Sequence, residues 1–344
     1  MTARPHDALF KSAFEAPAAA TALLRALLPA AVRETIAWDS LGAETGSFID
    51  SALADRHSDL LFSARLRTGE PALLYVLLEH QSTGDAEMPL RGLSYQVRIW
   101  ERFLKRHPRA WLPPILTVVV SHVRGGWRTS RSLEDMLAPA VRAMPGLVAL
   151  MPRFSLLIDD LAHLSDAELH ARSLAAFQKL ALWLLRDARD PVRLLSSFER
   201  WAAAMLELLE GPGGFASFAT LVAYMFRVVD PVHRETLRAK IKPLGPRAEE
   251  VIMTIAEQLI EEGREQGLEK GREQGLEKGL EQGLETGRLE GRIATLRSLL
   301  RFKFKLQTLE PVYEARLLAA PPSVLDRYLE RVLTAESIAA VFED

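Results

Sequence analysis

Two carboxylates and an amide stand where a strand pattern would let them act together. Asp59 lies in His57-Ser58-Asp59-Leu60-Leu61, Glu79 closes the apolar run Ala72-Leu73-Leu74-Tyr75-Val76-Leu77-Leu78, and Gln81 follows two residues later. A charge at the end of a hydrophobic strand costs several kcal/mol to desolvate if unpaired, so it belongs at a sheet edge, in an ion pair or on a metal. Period-two alternation puts Glu79 and Gln81 on one face and His80 on the other. If a hairpin aligns the two strands, Asp59 reaches the same face. Two carboxylates, a backbone carbonyl and waters then make a hard oxygen site of the kind Mg²⁺ (or Mn²⁺) prefers. Taken alone, these carboxylates have an ordinary alternative in a turn or a surface salt bridge. His57 and His80 read as neighbours of the site or as exposed residues, and Tyr95 and Gln96 as packing and surface residues.

The elements that must position these groups can be read around them. An opening helix is expected over Asp7 to Leu28, with Leu9, Phe10, Phe14, Leu23, Leu24, Leu27 and Leu28 on a broad face and His6-Asp7 as a capping pair. Strand-like text follows from Ile36 to Phe62, then an alternating segment to Arg67 and the turn Thr68-Gly69-Glu70-Pro71. The run Ala72–Leu78 is expected to be a central strand buried on both faces. Met88 to Arg106 predicts a helix with Leu90, Leu93, Val97, Trp100 and Leu104 on its apolar side, and Ile115 to Val120 a second core strand. From Leu133 the strand signals thin, and helices are expected near 166–186, 191–209 and 215–229.

Composition bounds the function. The chain has 344 residues, 48% of them hydrophobic, and no cysteine, which excludes disulfides, thiol catalysis and cysteine-held metal clusters. No stretch approaches the roughly 18 apolar residues of a membrane span, and the first residues carry no signal-like apolar run, so a cytoplasmic location with no membrane partner is expected. The formal net charge is −2, but it conceals a basic patch: between Met88 and Arg131 stand nine Arg or Lys residues against the single acid Glu101. Within the helix of that patch, Arg91, Arg98, Arg102 and Lys105 fall within about 60° of one another. Such a stripe is either a solvated face or a contact for DNA backbone, sequence-independent and salt-sensitive.

Near the C-terminus, eight glycines from Gly263 to Gly291 recur every four residues beside a column of glutamates. Each glycine costs a helix about 1 kcal/mol relative to alanine, and like charges at i, i+4 add to that. The repeat is therefore either a solvated linker or a helix that forms on pairing with a second copy through Leu268, Leu276, Leu280 and Leu284. A four-residue seam would wind right-handed. Two further amphipathic segments, Ile293–Leu306 and Val324–Leu333, could form a small terminal bundle.

Several blocks, in order, carry a resemblance. His6-Asp7-Ala8-Leu9-Phe10-Lys11, Gly46-Ser47-Phe48-Ile49-Asp50, Arg56-His57-Ser58-Asp59-Leu60-Leu61, Leu78-Glu79-His80-Gln81-Ser82 and Val97-Arg98-Ile99-Trp100-Glu101 resemble successive blocks of the Rpn recombination-promoting nucleases, also labelled PD-(D/E)xK-family transposases. Their ordered occurrence over roughly the first 125 residues reverses the bland reading of the carboxylates. The resemblance implies an α/β restriction-endonuclease-like core, a mixed sheet flanked by helices, at residues 1–130. Behind it are expected a helical domain at 131–250, the glycine repeat as helix or linker at 251–292 and a helical bundle at 293–344. It further implies Mg²⁺- or Mn²⁺-dependent hydrolysis of double-stranded DNA with little sequence preference, with Asp59 and Glu79 as metal ligands and Gln81 at a position where the superfamily commonly carries lysine. An amide can orient a water but brings no positive charge. Two other readings stand beside this one: a decayed nuclease fold that acts as an oligomeric DNA-binding module, and a transposase that joins strands.

Overall fold

The computed structural model describes residues 5–44, 60–79 and 85–343. It divides into two compact units, Met1–Glu257 and Gln258–Asp344.

In the first unit the opening segment is two helices, α1 (Pro5–Phe14) and α2 (Pro17–Leu27), where one was expected. Pro17 has no N–H to donate back into the first helix, so the chain restarts there with the proline in the first turn of the second. His6 and Asp7 lie inside the first turn of α1, and Asp7 is buried.

A five-stranded mixed sheet follows, in spatial order β1 (Ile36–Ala43), β2 (Leu60–Leu66), β3 (Pro71–Glu79), β4 (Ile115–Ser121) and β5 (Leu157–Asp160). The first three strands run antiparallel, and β3, β4 and β5 run parallel. The short turn between β2 and β3 needs only a hairpin, whereas the parallel β3–β4 pair needs a crossover, supplied by helix α3 (Met88–Arg106). Residues 72–76 of β3 are all buried, as expected of a strand covered on both faces. The fifth strand has no strong sequence signal: four residues, two of them aspartates, are held by pairing to Val118–Ser121.

Odd-numbered strand residues Leu61, Leu73, Tyr75, Ile115 and Val119 share one core with Met88, Tyr95 and Ile99 of α3, together with Trp127, Phe154 and Leu156. The buried stripe of α3 is Met88, Gly92, Tyr95, Gln96, Ile99 and Phe103. This corrects the expected apolar side: Leu90, Val97 and Leu104 are exposed. Two contacts set the rotation. A Cβ at residue 92 would lie 2.9 Å from the Phe154 ring, so glycine lets the helix settle close. The Gln96 amide donates to the Ile115 carbonyl (2.8 Å) and to Thr117 Oγ1 (3.0 Å), satisfying a buried polar side chain and fixing α3 to β4.

The rest of the unit is helical: α4 (Asp166–Ala171), α5 (Ala176–Asp187), α6 (Pro191–Glu210), α7 (Gly214–Val228) and α8 (Arg234–Ile241). α1 packs against α5 and α7, so the first helix of the chain is part of this layer. An ion-pair network ties α4, α5 and α6. Arg186 bridges Asp166 and the fully buried Asp187, Arg193 also pairs with Asp187 (2.7 Å), and Arg200 Nε donates to Asp166 at 2.5 Å. Trp183 donates to Ser197 Oγ at 3.0 Å and stacks on Trp201, with ring centroids 5.4 Å apart.

The long helix α9 (Pro246–Lys303) runs without a break through all eight glycines of the repeat. In the second unit, Ile293, Leu296 and Leu300 of that helix form a core with Leu317 of α10 (Pro311–Ala319), Leu325, Tyr328 and Val332 of α11 (Pro322–Thr334), and Val341 and Phe342.

Asp166 makes the first unit acid-sensitive. Partial burial raises its pKa, but the hydrogen bonds from Arg186 and Arg200 outweigh that and hold the carboxyl at about 2 against an ordinary 3.8. Its folded pKa is depressed, so its stabilisation is complete above about pH 4 and is lost as pH falls towards 2. The shift corresponds to about 2 kcal/mol. Asp166→Asn should lower stability by about that amount at pH 7 and converge with the unsubstituted protein near pH 2, as read by urea unfolding across that range. Parallel curves would remove the network as the cause.

Candidate active site

The three parallel strands end together. Glu79 of β3 lies opposite Ser121 of β4, and Ser121 opposite Asp160 of β5, so one row crosses the sheet at its C-terminal edge. This row has odd parity on β3 and β4, the same parity as Leu73, Tyr75, Ile115 and Val119 in the core beneath α3. β2 opens at Leu60, opposite Val76. Asp59 and Gln81, with His57 and His80, lie outside the described residues.

α3 begins at this edge and runs back along the sheet, so its basic stripe leads away from the strand ends. Arg91, the nearest of the four, pairs with Asp85 and is largely covered. Arg98 and Lys105 are exposed and Arg102 is half-buried. At 1.5 Å per residue, Lys105 lies about 21 Å along the helix from Arg91. The stripe flanks the buried side of the helix.

Two groups of polar residues at the same edge carried no clear sequence signal. The first surrounds Asp160, whose carboxylate accepts from the Trp127 N–H (2.8 Å) and pairs with His163 (2.7 Å). The chain turns there at Gly126, with φ of 82°, and a Cβ would lie 1.9 Å from the His163 ring. Both constraints select glycine. Asp159, one residue earlier, takes a bidentate bond from Arg172 at 2.6 and 2.8 Å. The second group lies next to the end of β4. His122, buried and one residue past Ser121, has its ring 4.9 Å from that of His6 on α1. His6 is in turn bonded to Tyr224 of α7 at 2.7 Å and to Arg189 at 3.3 Å. The block His6-Asp7 was visible in the sequence, but its role was read locally as a cap; nothing in the text shows that α7 and the turn after α5 meet it.

Among the described residues, no group of three or more His, Asp or Glu side chains stands ready to hold a metal ion. None of the described helices is long and apolar enough to cross a membrane.

Comparison with known proteins gives the family. Residues 4–210 match the family described as "Putative transposase, YhgA-like". The chain is 28% identical over 259 residues to recombination-promoting nuclease RpnD of Escherichia coli O157:H7, covering 75% of this chain and 95% of that one. It is 27% identical over 259 residues to recombination-promoting nuclease RpnA of Escherichia coli K12, covering 75% and 84%. It is also 27% identical over 263 residues to a K12 protein named inactive recombination-promoting nuclease-like protein RpnE, covering 76% and 83%. No solved structure matches. With residues 4–210 matched, more than half of its length, the chain belongs to the YhgA-like transposase family, among relatives that carry the Rpn nuclease name.

Proposed function

We propose that this protein is a metal-dependent endonuclease that hydrolyses phosphodiester bonds of double-stranded DNA with little sequence preference, with Asp59, Glu79 and Gln81 as its working residues. The observation that carries the reading is the register of the sheet. Directly opposed residues of an antiparallel pair share a face, so Leu61 sits with Tyr75 and Leu73 with Ser63. Glu79 ends β3 in one row with Ser121 and Asp160, and in the sequence Asp59 stands directly before Leu60, the first residue of β2. Two carboxylates are hard oxygen donors suited to Mg²⁺ or Mn²⁺. When bound, such an ion supplies Lewis acidity to the attacking water and the phosphate.

The chain's own residues do the rest. In this reading Asp59 and Glu79 are the ligands of the ion, and Gln81 orients the water through its amide. The exposed Arg98 and Lys105 and the half-buried Arg102 extend a basic track for the DNA backbone, while Arg91 at its head is engaged with Asp85. Contacts of this kind read no sequence. DNA as substrate agrees with a cytoplasmic place of action.

A second reading is favoured by Gln81 and by the similar protein named inactive: a fold that binds DNA without cutting it. The two part on one assay. Nicking of supercoiled plasmid should require Mg²⁺ or Mn²⁺, and Asp59→Ala should reduce it at least a hundredfold without changing the circular dichroism spectrum. Unsubstituted protein that binds DNA but leaves the plasmid intact would favour the inactive fold, and Asp59→Ala cutting at full rate would remove Asp59 from the site. Joined rather than cut ends would mark strand transfer.

We further propose that the glycine-repeat helix pairs with a second copy of itself. At about 1 kcal/mol per glycine, the repeat forgoes on the order of 8 kcal/mol of helix stability, which a partner must offset. All eight glycines have open space where a Cβ would stand, and Leu268, Leu276, Leu280 and Leu284 are 56–77% exposed. Identical repeats present identical spacing, which a second copy matches. Light scattering should give a dimer or larger for the full chain and a smaller species for Leu276→Glu/Leu280→Glu. A monomer in both would mean that the helix stands alone, in which case Gly271→Ala/Gly275→Ala should raise helicity and melting temperature.

A further inference from the structure

Between α3 and β4 the chain makes a short loop, residues 107–114, at the sheet end opposite the one where Glu79 closes β3. Its backbone is fixed at several points. The His107 N–H closes the last turn of α3 on the Phe103 carbonyl (2.8 Å), and the Ala110 N–H bonds to the His107 carbonyl (3.1 Å). The Trp100 indole donates to the Pro113 carbonyl (2.7 Å), and the Pro114 carbonyl accepts from the Leu73 N–H of β3 (2.9 Å). Pro108, Pro113 and Pro114 each lock their own φ. A loop set in this way loses little entropy when it meets a ligand.

Two features of the loop contribute nothing to folding. Trp111 is 94% exposed, whereas the other five tryptophans are buried or half-buried, and Leu112 beside it is also exposed. Among the described residues the Trp111 indole has no hydrogen-bond acceptor and its ring meets no other ring. A projecting aromatic and aliphatic pair is an apolar contact waiting for a surface outside the chain. Arg109 adopts a left-handed backbone, with φ of 69°, which strains a residue with a Cβ and suits glycine. Strain of this kind collects at functional positions. The Arg109 side chain is exposed, and neither it nor the exposed Lys105 at the end of α3 has an ion pair or hydrogen bond among the described residues.

The charge around the apolar pair selects its partner. From residue 98 to residue 114 stand Arg98, Arg102, Lys105, Arg106 and Arg109 against the one acid Glu101. An apolar surface rimmed by cations matches a polyanion that also exposes sugar and base faces, and tryptophan packs on such faces whatever the sequence. We infer that the loop 107–114 is a DNA-contacting element, in which Trp111 and Leu112 pack on the sugar and base surface while Arg109 and Lys105 meet phosphates. The inference rests on the nuclease reading for its substrate and extends the basic track of α3 beyond the helix. Its 19 residues span about 28 Å. That is about eight base pairs of duplex at 3.4 Å each, so the loop grips DNA well away from the strand ends.

The test is binding of a duplex two helical turns long in Ca²⁺ buffer, which does not depend on hydrolysis, measured across a range of salt concentrations. Trp111→Ala should weaken binding about tenfold and leave the slope of log affinity against log salt unchanged, because the lost contact is apolar. Arg109→Gly should lower that slope by about 1 while the melting temperature holds or rises, since glycine takes the left-handed backbone without strain. Duplex should quench tryptophan emission of the unsubstituted chain, and quench it less in Trp111→Phe. The inference is overturned if the duplex does not bind, or if Trp111→Ala and Arg109→Gly both bind it like the unsubstituted chain. It is overturned equally if phosphatidylglycerol vesicles bind the unsubstituted chain but not Trp111→Ala while duplex affinity is unaltered, which would assign the loop to a lipid surface. Plasmid cleavage in Mg²⁺ is run beside these. Protein that binds through Trp111 but never cuts refutes the nuclease and leaves the loop contact standing; protein that cuts, with both variants binding and cutting like the unsubstituted chain, does the reverse.

Discussion

The strand β3 constrains everything around it. It is hydrogen-bonded on both sides, antiparallel to β2 and parallel to β4, and its residues 72–76 are buried. Over residues 72–76 such a strand satisfies its backbone within the sheet and leaves no place for a charge. A carboxylate can stand only where the strand runs out, and Glu79 stands there. The opposite end is closed by the tight turn to β2, so polar groups gather at the edge where β3, β4 and β5 finish together.

Each layer serves that edge from a different side. α3 is fixed to β4 by the Gln96 bonds and by the close approach that Gly92 permits, so its basic stripe is held at a set angle to the strand ends. On the other side, α1 joins the helical layer and brings His6 to the exit of β4. Residues 131–257 therefore belong to the same compact unit as the sheet: β5 completes it, and the turn after α5 and helix α7 bring Arg189 and Tyr224 to its corner. The network around Asp166, Arg186 and Asp187 ties α4, α5 and α6, and so holds the two helices that flank the turn carrying Arg189.

Much of this was legible in the sequence because it follows from local periodicity. The apolar run ending at Glu79, the β-branched run at Ile115 and the proline-bounded helices α6 and α7 each announced themselves. Where the reading failed, a tertiary contact had overridden a local pattern. The apolar residues Leu90, Val97 and Leu104 suggested one face for α3, but a glycine that fits under Phe154 and a glutamine that bonds to β4 turned the helix to another. β5 was invisible because two of its four residues are aspartates, and only an existing β4 makes them a strand. The corner of His6, His122, Arg189 and Tyr224 spans more than two hundred residues, a separation that no window on the text can close. The roles given to Asp59 and Gln81 rest on the resemblance.

The lateness of β5 in the chain has a consequence for how the protein emerges and is cut. Until Leu157–Asp160 has been synthesised, β4 presents Val118-Val119-Val120 as an open, β-branched edge, a ready template for pairing with another chain. Proteolytic nicking or premature termination between β4 and β5 would leave that edge bare and favour aggregation over a smaller working core. Successful production of the sheet thus depends on the 35 residues between Ser121 and Leu157 arriving intact.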